Sequence, residues 1–239
     1  MSRPQACSVR LVGAWPDTAD GLVEVQKVLG TAAPSLWCPR GRMASAAGCF
    51  ICFGPQPGGV GREPAWAAAA LTRGRRLDAA ALATGEAGGR YLPGFLALRE
   101  GPLLEKAVRS LPARPEVLVV NGTGRDHPRR AGLALHLGAV LDLPTVGVTE
   151  RPLLATGDLP GQARGAIAPL RLDGELVAFW LRSRNGVRPI VVHASWRTSP
   201  EVAIVVVLQL VARVRTPEPL RFARHLARLA RAAAKGGSG

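Results

Sequence analysis

Residues 116–148, EVLVVNGTGRDHPRRAGLALHLGAVLDLPTVGV, place apolar runs on either side of a loop rich in glycine and arginine. The pattern predicts a strand over Glu116–Val120, a helix over Pro128–Leu141 and a second strand over Pro144–Val148. Apolar strands separated by a helix are typical of a parallel sheet covered on both faces. This segment therefore predicts an α/β fold.

Towards the N-terminus the pattern changes to a helix followed by a meander. Apolar residues at helical spacing predict a helix over Thr18–Leu29, and strands are expected over Ala47–Phe53, Pro64–Leu71 and Leu77–Ala83. The segment Gly54–Gly59 is typical of a turn.

Towards the C-terminus we expect three more strands and two more helices. Ser199-Pro200-Glu201 has the capping hydroxyl, first-turn proline and acid that open a helix, and the apolar body that follows should be buried. We expect one domain over residues 1–234 and a flexible tail over residues 235–239. The remaining expected elements are a helix over Leu103–Leu111, strands over Gly165–Leu172, Glu175–Arg182 and Arg188–His193, and helices over Val202–Val214 and Pro219–Ala234.

Composition indicates a globular protein with a polyanionic partner. Of 239 residues, 47% are hydrophobic and 20% are charged, and the net charge is +14. Lys27, Lys106 and Lys235 are the only lysines, so arginine carries this charge. Arginine donates paired hydrogen bonds to phosphate, although a GC-biased genome would also enrich arginine.

No segment approaches the roughly 18–20 apolar residues that a membrane span needs, because Gln209 and Arg213 interrupt the longest candidate. The first residues contain no apolar signal core, so we expect a cytoplasmic protein with reduced thiols. Cys49 and Cys52 have metal-binding spacing, but residues three apart on a strand point to opposite faces and cannot chelate one ion.

Three segments carry a resemblance to a known family: RYLPGFLALRE at residues 90–100, VVNGTGRDHPRRAG at residues 119–132 and LPTVGV at residues 143–148. The chain resembles the endonuclease V family from about Gly21 to about Arg224. The resemblance implies a ribonuclease H-like mixed sheet flanked by helices. It also implies recognition of hypoxanthine, the deaminated form of adenine, in DNA or RNA, and Mg²⁺-dependent cleavage on its 3′ side.

The resemblance assigns Tyr91, Leu92 and Pro93 to a wedge that separates the strands beside the lesion. An aromatic ring held by proline can stack in the space left by an extruded base. Arg90 stands where the family usually has proline. A tyrosine packed within a turn is the alternative.

Four glycines match the family's hypoxanthine pocket, where the missing side chain lets the backbone approach the base. For two of them, Gly122 and Gly124, a strand-to-helix turn is the alternative explanation. The four are Gly94, Gly122, Gly124 and Gly132.

His127, Arg129 and Arg130 match the family's His-Pro-Arg-Arg signature. Pro128 fits the first turn of a helix, whose dipole would favour a phosphate group. We therefore predict phosphate contact here. A capping or buried polar role for His127 is the alternative.

The family's metal-binding carboxylates match Phe50, Glu100 and Asn121 in this chain, so one of three is retained. Two further active positions differ: a lysine of the family matches Glu150, and a histidine matches Trp196. Two Mg²⁺ ions need clustered carboxylates because only fixed negative charge offsets their repulsion. The differences predict impaired catalysis and doubtful Mg²⁺ binding.

Three other acids are candidate substitute ligands: Asp126, Glu150 and Glu201. Of these, Glu150 and Glu201 could converge with Glu100 at the carboxyl ends of neighbouring elements. Three hypotheses therefore stay open. The chain is a nucleic-acid-binding protein that does not cut, an active inosine nuclease with substitute carboxylates, or a scaffold whose basic face binds protein or maintains solubility. The sequence predicts no oligomeric state.

Overall fold

The computed structural model describes residues 15–55 and 61–236. The helices are α1 (Ala19–Thr31), α2 (Leu96–Arg109), α3 (Leu133–Leu141), α4 (Pro200–Leu210) and α5 (Glu218–Gly236). The strands are β1 (Ala46–Phe53), β2 (Pro64–Arg73), β3 (Arg76–Glu86), β4 (Leu118–Val120), β5 (Thr145–Thr149), β6 (Ile167–Leu172), β7 (Glu175–Leu181) and β8 (Ile190–Ala194).

Within the described residues, the eight strands form one mixed sheet, in the order β3-β2-β1-β4-β5-β8-β7-β6. The central strands β1, β4 and β5 are parallel, and for β4 and β5 this confirms the prediction from residues 116–148. The meander of β1, β2 and β3 and the three later strands pair antiparallel. A mixed sheet flanked by helices is therefore confirmed.

Helices cover both faces of the sheet, so residues in and next to the short strand β4 are buried on both sides. Leu118 and Val120 belong to the core under α2 and α3, whereas Val117 and Val119 belong to the core under α4. Both sets are fully buried, which explains the continuous apolar run of a two-sided strand.

The same alternation separates the two thiols of β1. Cys49 lies in the α2 core, whereas Cys52 packs against α5 and its thiol donates to the Ala227 carbonyl at 3.2 Å. The prediction that they occupy opposite faces is confirmed.

Two helix starts follow the capping chemistry of the sequence. The Thr18 hydroxyl accepts from the amide of Gly21 at 3.1 Å, and the Ser199 hydroxyl accepts from the amide of Val202 at 3.2 Å. Pro200 occupies the first turn of α4. Within the described residues, no helix is both long and apolar enough to cross a bilayer.

Several predicted boundaries were wrong. Helix α2 begins seven residues before Leu103 and holds Pro102 inside. Helix α4 ends at Leu210, and Val205 within it is 46% exposed, so its body is not wholly buried. The predicted turn after Phe53 falls largely on residues 56–60, outside the described residues.

The helix predicted from Pro128 begins only at Leu133. Residues 127–130 form their own turn, in which the Arg130 amide donates to the His127 carbonyl at 2.9 Å. Arg130 has a φ of 55°, a left-handed conformation that cannot continue a right-handed helix. Pro128 is therefore not in a helical first turn, so the predicted helix start was wrong and the helix dipole gives no reason to place a phosphate there.

Candidate nucleic-acid interface

Residues 90–93, the wedge loop, project from the sheet edge between β3 and α2. Tyr91 is 58% exposed and Leu92 is 48% exposed, which argues against a tyrosine packed within a turn. A turn closes the loop, since the Phe95 amide donates to the Leu92 carbonyl at 3.0 Å. The loop thus presents apolar groups to solvent, where stacking on a base would cover them.

The loop is fixed at its C-terminal side through the carbonyl of Gly94. This oxygen accepts hydrogen bonds from His127 Nε2 at 3.0 Å, Arg129 Nη2 at 3.0 Å and Gln26 Nε2 at 3.3 Å. Gly94 itself has a φ of +81°, a conformation that favours glycine. Three donors on one carbonyl hold the exit of the loop in place.

His127 has a defined protonation state in this arrangement. Its Nδ1 accepts from the Arg129 amide at 3.1 Å, so Nε2 carries the hydrogen that is donated to Gly94. Burial lowers the pKa of His127 to about 4, and the ring is neutral at neutral pH. The side chain is buried, which agrees with the buried polar alternative and leaves it no room to contact phosphate.

The two arginines of the signature also bond within the chain. Arg129 Nε donates to Gln26 Oε1 at 2.7 Å, and its guanidinium lies 4.8 Å from the centre of the Phe95 ring. Arg130 bonds the Leu172 carbonyl at 3.0 Å and pairs with Asp173 and Glu175 in the β6–β7 hairpin. The signature therefore fastens the wedge loop and the hairpin to the sheet.

Sequence reasoning missed Gln26, which joins this network from α1. It is buried and also donates to the Ala131 carbonyl at 3.0 Å. Its spacing was a usable signal, because it falls on the same helix face as Leu22 and Leu29. A glutamine on an apolar face needs polar partners, and here it finds three.

A second anchor holds the N-terminal side of the wedge loop. Arg99 is 5% exposed and pairs with Glu63, 1% exposed, at 3.1 Å. The same guanidinium donates to the Gly89 carbonyl at 2.7 Å and lies 4.0 Å from the Phe53 ring centre. Both ends of the loop are therefore tied to the core.

The glycines of the predicted base pocket have packing reasons of their own. A Cβ on Gly124 would lie 1.9 Å from the Ala194 carbonyl oxygen, and one on Gly132 would lie 2.4 Å from the Thr123 oxygen. A Cβ on Gly122 would meet Leu133 at 3.1 Å. Close backbone packing therefore explains Gly124 and Gly132, and the amides of Gly122 and Gly132 already donate within the chain.

Two of the positions that match the family's carboxylates lie where the parallel pairing of β1 and β4 ends. Phe50, within β1, and Asn121, just after β4, directly follow the last residues paired between these two strands, Cys49 and Val120. Phe50 packs towards α5, and Asn121 is exposed in the loop after β4. The third position, Glu100, is carried by α2 on the other face of the sheet.

Glu100 is a partly buried acid without an ion-pair partner among the described residues. Burial raises its pKa to about 7, and the opposing effect of Arg99 is smaller because that guanidinium faces Glu63. Burial thus favours the neutral, protonated form of this side chain more than it would in an exposed glutamate.

A guanidinium occupies the space next to Phe50. The central carbon of Arg224, on α5, lies 5.2 Å from the centre of the Phe50 ring. Sequence reasoning missed this contact, although Arg224 lies four residues after Leu220 and three before Ala227, both buried against the sheet. That spacing places an arginine beside the apolar stripe of the helix.

We refer to the positions of Phe50, Asn121 and Glu100, with the adjacent Arg224, as the centre. The side chains at the centre do not fit Mg²⁺. The ion prefers several oxygen ligands, whereas Phe50 offers none, Asn121 offers one neutral carbonyl and Glu100 is the single carboxylate. The Arg224 guanidinium adds positive charge where a divalent cation would need negative charge. In residues 15–55 and 61–236 no three His, Cys, Asp or Glu side chains are grouped closely enough to hold a metal.

Within the described residues the candidate substitute carboxylates do not cluster with Glu100, so the structure does not support the alternative of a rearranged metal site. Asp126 is buried and accepts from the amides of Leu153, Leu154 and Ala155 at 2.7–2.9 Å. Glu150 pairs with Arg215 at 3.0 Å, and Glu201 is exposed at the start of α4.

Trp196 is likewise remote from the centre. It is buried with Leu29, Ala131 and Leu135 between α1 and α3. Its carbonyl accepts from Thr145 at the start of β5, the end of that strand opposite to Glu150. The structure therefore gives Trp196 a core role and does not bring it to Phe50 or Glu100.

Comparison with known proteins identifies relatives of this architecture. A family model described as Endonuclease V matches residues 59–225, a range that leaves out β1 and Phe50. Endonuclease V of Streptomyces avermitilis is 36% identical over 226 residues, covering 93% of this chain and 96% of the relative. Endonuclease V of Roseiflexus sp. is 44% identical over 137 residues, 57% of this chain, and the match spans only 62% of that relative.

Solved structures agree. The crystal structure of the Streptomyces avermitilis protein has a TM-score of 0.83 at 34% identity, covering 93% of this chain and 96% of that one. Endonuclease V of Ciona intestinalis, in complex with DNA containing an inosine, has a TM-score of 0.76 at 19% identity and covers 91% of this chain and 100% of that one. The latter likeness shows a shared fold.

Proposed function

Because the chain belongs to the endonuclease V family, we propose that it binds nucleic acid at deaminated adenine and does not cut the strand. The observation that carries this proposal is a contrast between two regions: the wedge loop is anchored and exposed, whereas two of the family's metal-ligand positions hold Phe50 and Asn121. The retained parts are those that bind, and the altered parts are those that cut.

Charge and exposed surface support nucleic-acid binding. The chain has a net charge of +14, carried almost wholly by arginine, which favours association with a polyanion. Tyr91 and Leu92 are exposed on a loop fixed at both ends, so stacking on a base would cost little ordering entropy. The Ciona relative, of the same fold, binds inosine-containing DNA.

The side chains at the family's metal-ligand positions support the proposal that the chain does not cut. Phosphodiester hydrolysis with two metals needs ions held about 3.5–4 Å apart by shared carboxylates. One partly protonated acid, Glu100, cannot supply that charge, and Arg224 opposes it. Strand cleavage through such ions therefore has no support from the side chains present.

A titration beside a nicking assay tests the proposal. Fluorescence anisotropy would measure affinity for single-stranded DNA and RNA carrying one inosine or a matched adenine, at about 50 and 200 mM salt. We expect tighter binding of inosine strands, an affinity loss of at least about 10-fold at the higher salt, and no nicking with Mg²⁺ or Mn²⁺.

Each contrary outcome has a defined meaning. Absence of binding at low salt would overturn the proposal and favour a scaffold whose basic face binds other partners. Nicking that disappears in Glu100→Ala would instead identify an active nuclease. Equal affinity for inosine and adenine strands would remove deaminated adenine as the recognised feature.

A further inference from the structure

Arg224 is a cation without a matching anion. It is partly buried on the sheet-facing side of α5, and within the described residues its Nε–H has no hydrogen-bond acceptor. The Phe50 ring offers only the modest attraction of a cation–π contact at 5.2 Å. Burial lowers the pKa of Arg224, as expected for a guanidinium that has lost water without gaining a carboxylate.

Other charges around Arg224 make the deficit larger. Arg228 and Arg215 are close enough to act on its protonation, and Glu150 is the acid that opposes them. Glu150 is already paired with Arg215 at 3.0 Å. Three guanidinium groups therefore share one carboxylate at this end of the sheet.

The two substitutions at the family's ligand positions both remove negative charge from the same place. Phe50 carries none, and Asn121 offers an exposed amide that can donate a hydrogen bond. Carboxylates at these positions would repel a phosphate unless a metal lay between them. With phenylalanine, asparagine and arginine, an anion can approach directly.

We propose that Arg224, Arg215 and Arg228, with the amide of Asn121, form a metal-independent site for a phosphodiester group, here called the arginine site. The proposal rests on the proposed function, since the anion would belong to a bound strand. Guanidinium groups suit this ligand because they donate two parallel hydrogen bonds to phosphate oxygens. The arginine site would thus hold the backbone that the family's metal centre would otherwise engage.

The test compares two variants with the same change of charge. Arg224→Gln alters the arginine site, whereas Arg76→Gln alters an exposed arginine at the start of β3, near the opposite end of β1. In EDTA, we expect Arg224→Gln to weaken binding of an inosine oligonucleotide about 10-fold and to reduce the salt slope by about one. Arg76→Gln should change affinity less than about 2-fold, and neither variant should change the inosine-to-adenine affinity ratio.

Arginine Nε–H NMR signals distinguish a strand from free phosphate. We expect the Arg224 signal to shift on addition of the oligonucleotide, and addition of inorganic phosphate tests whether the arginine site also accepts the free ion. If Arg224→Gln folds poorly, Arg228→Gln replaces it, because Arg228 is exposed and its substitution should not disturb folding. We expect Arg228→Gln to weaken binding about 3-fold.

Failure here is separable from failure of the proposed function. If the unaltered protein binds inosine strands while Arg224→Gln and Arg228→Gln keep its affinity and salt slope, the arginine site is wrong and inosine binding stands. An Arg224 NMR signal that shifts neither with the oligonucleotide nor with inorganic phosphate would also overturn the arginine site. If the unaltered protein binds no strand, the proposed function fails first.

Discussion

The wedge loop and the centre around Phe50 lie in the same fold but differ in how their polar groups are matched. At the loop, polar groups have partners: the carbonyls of Gly94 and Gly89, the side chains of Gln26 and His127, the buried Arg99 and the half-buried Arg129. At the centre, Arg224 Nε within the described chain has no acceptor, and Glu100 has no counterion there. Matched networks of polar groups rigidify the structure, whereas a buried charge without a partner carries an unfavourable desolvation free energy. The wedge loop is thus anchored by matched contacts, whereas the charged groups around Phe50 lack such partners, and our proposals for binding and for the arginine site rest on this difference.

The largest expected effect is a gain in divalent-cation affinity when carboxylates replace Phe50 and Asn121. Phe50→Asp with Asn121→Asp restores two carboxylates, but Arg224 would still repel a divalent ion by roughly 2 kcal/mol at 5 Å even in water. We expect Phe50→Asp/Asn121→Asp/Arg224→Gln to bind Mn²⁺ on the order of 1000-fold more tightly than the unaltered protein. Isothermal titration calorimetry measures this directly.

The variant with only the two aspartates is the control for the role of Arg224. It should bind Mn²⁺ at least about 10-fold more weakly than the triple variant, because repulsion of about 2 kcal/mol corresponds to more than tenfold. Equal affinities would show that Arg224 does not oppose a cation there. Tight Mn²⁺ binding by the unaltered chain would overturn the contrast between the two regions.

The next effect concerns the anchor of the loop. Glu63→Ala leaves Arg99 buried without its carboxylate, and we expect the free energy of unfolding to fall by about 3 kcal/mol. The loss should stay near the lower end of the range for buried pairs because Arg99 keeps the Gly89 carbonyl and the Phe53 ring. Urea denaturation followed by circular dichroism measures this change.

Glu63→Gln is the matched control, since an amide oxygen can still accept from Arg99. It should lose less stability than Glu63→Ala. If both variants unfold at the same urea concentration as the unaltered protein, the anchor does not stabilise the fold and the loop is less constrained than its contacts indicate.

A smaller effect follows from the unmatched acid at the centre. The folded-state pKa of Glu100, about 7, lies above its ordinary value of 4.5. The native state therefore holds a proton that the unfolded chain has released, and stability falls as pH rises through this window. Glu100→Gln removes the penalty and should raise the free energy of unfolding by about 1–2 kcal/mol at pH 8, a discounted value for a partly exposed side chain.

The pH dependence provides the control. The difference between Glu100→Gln and the unaltered protein should vanish near pH 4, where the acid is protonated in both states. A difference that is constant with pH would indicate a packing effect, and a destabilised variant at pH 8 would mean that Glu100 has a counterion or metal after all.

Local chemistry made much of the fold predictable, while the centre depended on contacts between distant segments. The strands around Leu118 and Val146 follow from continuous apolar runs, and the caps at Thr18 and Ser199 follow from their hydroxyl groups. Arg224 over Phe50 depends on how α5 docks on β1, which no local pattern specifies.

The His-Pro-Arg-Arg signature illustrates a local pattern with two outcomes. Pro128 suits a helix start, yet the left-handed Arg130 and the bonds of His127 to Gly94 and Arg129 select a turn. Tertiary hydrogen bonds outweighed helix propensity there. Asp126 is similar, because its three amide donors come from a loop almost thirty residues later, and sequence gives no sign of them.

The smallest expected effect tests the binding element itself. Tyr91→Ala removes an exposed ring from the wedge loop, so stability should change by less than about 0.5 kcal/mol. Affinity for an inosine strand should fall about 5- to 10-fold, because stacking on one base contributes roughly 1–3 kcal/mol. Tyr91→Phe should keep most of the affinity. If the ring stacks on a base and the arginine site holds the backbone, Tyr91→Ala should reduce inosine affinity without changing the salt slope, whereas Arg224→Gln should lower both the affinity and the salt slope. A smaller salt slope in Tyr91→Ala would show that the two regions do not bind independently.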